Sequence, residues 1–163
     1  MRSRILGILI AVTAVFGALA LAAGPASAEQ RCTGGSDANL CLTIEGRSDG
    51  LFNVDVGIDI HIPLDAAQEY IDDPGDPVAA VIWGDEGNET HFVADERLGA
   101  TALVDLGATA EFGLSADFHT VMSGFQLNED NGQDEIRAVV TLTDTDTNTS
   151  IDFVSRRIVG NWP

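Results

Sequence analysis

From Glu135 to Thr143 the chain alternates, with Ile136, Ala138, Val140 and Leu142 on one parity and Glu135, Arg137, Thr141 and Thr143 on the other. A period of two over this length predicts a half-buried β-strand. Acidic, turn-forming segments bracket it, Asn128-Glu129-Asp130-Asn131-Gly132-Gln133-Asp134 before and Asp144-Thr145-Asp146-Thr147-Asn148 after. The clearest alternation lies upstream: Phe52, Val54, Val56, Ile58, Ile60 and Ile62 face one way, Asn53, Asp55, Gly57, Asp59 and His61 the other. Leu40, Leu42 and Ile44 give a preceding strand over residues 40–46, and the turn at 46–50 makes the two a hairpin.

Pro63 stops the second strand, and residues 64–72 read as a short helix with Leu64, Ala67 and Ile71 on one side and Asp65 in the first turn. It is the one helix expected after residue 28. The segment Asp72-Asp73-Pro74-Gly75-Asp76-Pro77 fits neither a helix nor a central strand. A strand resumes over 78–83, apolar on both parities as for a strand covered on both sides. Further strands are expected at 89–94, 102–106, 109–114 and 117–127, with loop at 95–99 and a bulge near Ser123-Gly124. The last runs over 151–159. The predicted core is Leu42, Ile44, Val54, Val56, Ile58, Ile60, Val81, Ile82, Val104, Phe118, Ile136, Val140, Leu142 and Phe153. About eight short strands, one helix and no repeat predict an all-β, antiparallel β-sandwich, with a closed barrel as the alternative.

The N-terminus changes the compartment. Arg2 and Arg4 precede an uncharged apolar run over 5–21, and Ala26-Ser27-Ala28 has the small-x-small form of a cleavage site, so residues 1–28 read as a signal peptide. Residues 29–163, 135 of the 163, then form one acidic domain of a secreted, extracellular protein. That domain carries 26 Asp plus Glu against six Arg and no Lys, a formal charge of −20. Such a surface repels nucleic-acid phosphates and anionic lipids, which argues against a nucleic-acid partner or direct binding to an anionic membrane. An exported protein remains a fitting partner.

Cys32 and Cys41 are the two cysteines, and outside the cytosol they predict a disulfide closing the loop TGGSDANL against the first strand. A redox pair would more often show C-x-x-C spacing. Asn88-Glu89-Thr90 and Asn148-Thr149-Ser150 fit the N-glycosylation pattern.

Candidate chemistry is sparse. Gly46-Arg47-Ser48-Asp49-Gly50 matches G-x-S-x-G, but a nucleophile elbow needs a helix after the serine and here a strand follows. His61, His91 and His119 show no ligand spacing and read as solvent-face strand residues. The acidic loops suit calcium better, since that ion takes six to eight oxygens from flexible turns. Counted from Asp144, an EF-hand fails at Thr149 and Ser155, so a calcium site would be discontinuous. The expectation is weak calcium binding at one end of the sandwich through Asp72, Asp73, Asp85, Asp130 and Asp134, with merely solvated turns as the alternative.

Trp83-Gly84-Asp85-Glu86 and Leu127-Asn128-Glu129-Asp130, the latter followed by Asp134-Glu135-Ile136 and a strand, resemble a pattern in uncharacterised secreted β-sandwich proteins of high-GC Gram-positive bacteria. The likeness spans residues 54–160 and implies an exported β-sandwich without an assigned activity. In architecture alone the chain also resembles C2-type sandwiches, which hold calcium in acidic loops at one end. The function expected is thus a secreted, non-enzymatic binding module. The alternatives are a protein-interaction or structural module without metal, and a hydrolase built on Ser48.

Overall fold

The computed structural model describes residues 28–84, 97–128 and 133–162. Two antiparallel sheets of five strands face each other. In chain order the elements are β1 (Glu29–Cys32), β2 (Ala38–Gly46), β3 (Leu51–Ile60), α1 (Leu64–Asp72), β4 (Val78–Gly84), β5 (Arg97–Ala100), β6 (Ala102–Thr109), β7 (Gly113–Ser123), α2 (Gly124–Leu127), β8 (Asp134–Asp144), β9 (Thr149–Val154) and β10 (Ile158–Gly160). The first sheet runs β1-β2-β3-β7-β6; the second runs β10-β8-β4-β5, with β9 also paired to β8.

The register follows from burial. Leu42 opposes Val56 and Ile44 opposes Val54 between β2 and β3, and Val56 opposes Phe118 between β3 and β7. In the second sheet Ala80 opposes Val140 and Ile82 opposes Ala138. These inward side chains form one buried cluster, closed at its margins by Ala67 of α1, Leu127 of α2 and Trp162. A slip of one residue in any central pair would turn a whole apolar row to water, so the pattern specifies the register. Trp162 packs edge-on against Phe52, with ring centroids 5.4 Å apart.

Helix α1 has the expected bounds, with Pro63 as its N-cap residue and Asp65 in its first turn. The Cys32–Cys41 disulfide joins directly opposed residues of β1 and β2. Strand β1 itself was not expected, because four residues without alternation carry no period. No helix among the described residues is long and apolar enough to cross a membrane.

Several expectations are corrected. Val104, predicted in the core, is 67% exposed. Between β6 and β7 the pairing passes from Leu103–Phe118 to Asp105–Asp117, so Val104 is the extra residue of a β-bulge, and inward parity shifts from Leu103 to Leu106 and Ala108. Val81 is half-buried on the outer face of β4, which is covered on one side rather than two; Phe153 is half-buried against the core. Strand β6 runs through Gly107 and turns at 110–112 instead. Part of the loop expected at 95–99 is strand β5.

The bulge expected near Ser123-Gly124 is instead helix α2. The Ser123 hydroxyl accepts from the Gln126 N–H while the Gln126 side chain accepts from the Ser123 N–H, a capping box. The expected final strand is broken into β9 and β10 by residues 155–157. The strand expected at 89–94 lies outside the described residues.

Candidate functional site

The outer face of the first sheet is built from the polar parity of its strands. Strand β3 turns Asn53, Asp55, Gly57 and Asp59 outward, and β7 opposes them with Val121, His119, Asp117 and Ser115. Gln30 of β1 and Asn39, Cys41 and Thr43 of β2 continue the face on one side. On the other stands Val104, pushed outward by its bulge. All of these but Asn53 and Val121 line a groove of about 730 Å³.

Its floor is low because Gly57, in mid-strand, has no side chain. A Cβ built there would meet the Asp117 Oδ1 at 3.0 Å, so the Asp117 carboxylate leans over the bare backbone. The His119 Nδ1 lies 2.7 Å from the Asp55 Oδ1, within hydrogen-bond distance. The Ser115 hydroxyl donates to the Asp59 Oδ1 at 2.7 Å. Asp105 opposes Asp117 from β6. Burial against the sheet, and then the carboxylates of Asp105, Asp59 and Asp55, raise the Asp117 carboxyl above its ordinary pKa. Four aspartates thus crowd one face with His119 as the imidazole among them.

Among the described residues, the serine and the histidine on this face are not brought together. Ser115 and His119 share a parity but stand four residues apart along β7, about 13 Å at ordinary strand rise. Ser48 is exposed in the hairpin turn, where the Arg47 N–H donates to the Leu51 carbonyl and the Gly50 N–H to the Arg47 carbonyl, and strand β3 follows. Beside it the Leu51 N–H and the Arg47 guanidinium hold the Asp49 carboxyl below its ordinary pKa.

The expected calcium ligands fall in different places. Asp72 ends α1 and accepts from the Gln68 amide at 2.9 Å. Asp73 accepts from the Thr145 hydroxyl, just beyond the C-terminal end of β8. Asp134 is buried at the other end of that 11-residue strand, roughly 30 Å away at ordinary strand rise. Asp73 and Asp134 therefore do not share one end of the sandwich. Asp85 and Asp130 lie outside the described residues, as does His91.

What the fold brings to Asp73 is Glu69, Asp144 and Asp146, around Tyr70 in a second cleft of about 340 Å³. The Thr147 and Asp146 N–H groups both donate to Asp144 and hold its carboxyl below the ordinary pKa; neighbouring burial and the charges of Asp144 and Glu69 raise the Tyr70 hydroxyl. Among the described residues no three of His, Cys, Asp and Glu are grouped closely enough to hold a metal. Asn148, of the second glycosylation pattern, sits in the β8–β9 turn at φ 54°.

The residues Asp55, Asp59 and His61 were legible as one polar face. Their partners on β7 were missed, since nothing in the sequence states that β3 pairs with a strand more than fifty residues on. No family model, curated protein or solved structure matches the chain.

Proposed function

We propose that the protein is an exported, non-enzymatic binding module that receives the basic side chains of a partner protein in the groove of its first sheet. The observation that carries this reading is the gathering of Asp55, Asp59 and Asp117 in one groove, with Asp105 opposing Asp117 beside it and Asp117 leaning over the notch at Gly57. Like charges gathered this way repel one another, and a guanidinium or ammonium from outside relieves that repulsion. Arginine suits the site, because its planar fork bonds carboxylates in pairs. The disulfide beside the groove supports an oxidising, extracellular setting.

A groove-filling variant tests the reading. In Gly57→Val the added Cβ meets only the flexible end of Asp117 and a β-branched residue suits a strand; circular dichroism checks that the variant keeps its fold. Titrated with a fluorescent oligo-arginine peptide, the variant should bind about tenfold more weakly than wild type, ~1.4 kcal/mol. Equal affinity in the two proteins would refute the groove as the site.

Weak calcium binding is a second reading; it would require Glu69, Asp73, Asp144 and Asp146, which line one cleft but are not grouped closely enough in the structure to hold a metal, to draw together around the ion. It predicts a larger rise in melting temperature with calcium than with magnesium at matched ionic strength, diminished in Asp73→Asn with Asp146→Asn. Equal shifts from the two ions would leave these loops as solvated turns.

A further inference from the structure

The outer face of the second sheet differs in character from that of the first. Its outward residues fall in rows across the strands: Arg97, Trp83 and Arg137 oppose one another in one row, and Ala100, Val81, Val139 and Val154 in the next. Ala79, Thr141 and Asp152 follow on one side, Glu135 and Val159 on the other. Arg97 and Arg137 stand against Glu135 and Asp152, two charges of each sign, so among the described residues this face is formally neutral on a domain that carries −20.

Between the rows lies a trough of about 300 Å³, lined by Val81, Trp83, Val139, Thr141 and Asp152. Trp83 is half-buried at one end, the two valines follow, and the exposed Asp152 stands at the other end. The Thr141 hydroxyl donates to the Asp152 Oδ1 at 2.7 Å. A carboxylate accepts at about four lone-pair positions, so this bond orients Asp152 and leaves it able to accept from a ligand.

We propose that the trough binds an uncharged sugar chain, with the C–H face of a pyranose ring laid on the Trp83 indole and the valines, and its hydroxyls donating to Asp152. The composition of the trough selects this class. A purely apolar ligand would strip water from Asp152 and return no hydrogen bond. An anion would meet that carboxylate on a strongly negative molecule, and a cation is drawn more strongly to the acidic first sheet than to this neutral face. A second copy of the chain would bring up another domain of −20. A pyranose ring is uncharged, apolar across its C–H face and hydroxylated at its rim, which matches a mostly apolar pocket with a few placed polar groups. The indole is the large flat apolar surface on which such a ring can rest.

The test is isothermal titration of the full protein with three uncharged hexasaccharides, maltohexaose, cellohexaose and N-acetylchitohexaose, at low and at high salt. Wild type should bind at least one of them, with an affinity that salt leaves unchanged. Asp152→Ala and Trp83→Ala should each lose about tenfold or more, and Trp83→Phe should keep most of the binding, with circular dichroism confirming the fold of each variant. Asp55→Asn with Asp117→Asn, on the first sheet, should bind the sugar as wild type does. No binding to any of the three would overturn the proposal. Equal affinity in wild type and Asp152→Ala would overturn it too, and because Asp152 is exposed this result keeps its meaning even where a Trp83 variant fails to fold. A wild-type dimer in sedimentation velocity that Val154→Asp dissociates would place a second copy on this face and overturn the proposal as well.

Discussion

The Asp117 carboxylate reaches across to Gly57 on the neighbouring strand, 3.0 Å from the place a Cβ would occupy. The position is unfavourable for a charge. Burial against the sheet and three neighbouring carboxylates raise its pKa, so the folded state binds this proton more tightly than the unfolded chain.

The sign of the consequence is fixed by linkage. An acid whose pKa is raised in the folded state destabilises the fold at pH values above that pKa, and the penalty disappears as the pH falls below the ordinary carboxyl range. Asp117→Asn should therefore raise stability at neutral pH, on the order of 0.5 kcal/mol once screening at this exposed site is allowed for. Denaturant melts near pH 7 and near pH 3 check it. A variant less stable than wild type at pH 7 would show that the carboxylate has a favourable partner on this face.

Ser155 makes the break in the outer strand of the second sheet possible. Its hydroxyl accepts the Ala138 N–H at 2.8 Å and donates to the Arg156 carbonyl, while its own N–H donates to the Ala138 carbonyl. Ser155→Ala leaves a buried N–H without a partner and should cost about 1–3 kcal/mol in a urea melt. An unchanged midpoint would mean that the strand closes over the break.

The disulfide ties a four-residue edge strand to β2. Its loop is short, so Cys32→Ser with Cys41→Ser should lose somewhat under ~3 kcal/mol, or roughly 10 °C in melting temperature. Calorimetry of the double variant, with reduced wild type beside it, measures the loss. No difference would show that β1 contributes nothing to the fold.

Where the sequence was a sufficient guide, punctuation and parity agreed. Pro63 and Asp73-Pro74 bound α1 on both sides, and six alternating apolar positions from Phe52 to Ile62 left no choice of face for β3. Val104 shows the opposite case. The run Ala102-Leu103-Val104-Asp105-Leu106 is apolar on both parities around one aspartate, and a single bulge reverses which side faces in. Ser123 and Gln126 carried the S-x-x-Q spacing of a capping box, a readable signal for α2 that a strand reading obscures. The groove was half legible: β3 displayed Asp55 and Asp59, but their meeting with His119 and Ser115 depends on long-range pairing.

The bulge has a direct check in a pair of truncations. Ile58→Ala, in the buried row of β3, should cost about 2–5 kcal/mol, whereas Val104→Ala on the outer face should stay within ~0.5 kcal/mol of wild type. A large loss from Val104→Ala would return that residue to the core and remove the bulge.

The groove as the seat of binding is tested most directly by a charge-matched comparison. Asp55→Asn with Asp117→Asn removes two charges from the groove; Glu69→Gln with Asp73→Asn removes two from the second cleft. Isothermal titration with oligo-arginine peptide near pH 7.5 is run on wild type and both variants. The account predicts a loss of about tenfold or more in the groove variant and less than about twofold in the cleft variant. Equal losses in the two would place the attraction in the overall charge of the molecule and contradict a site on the first sheet.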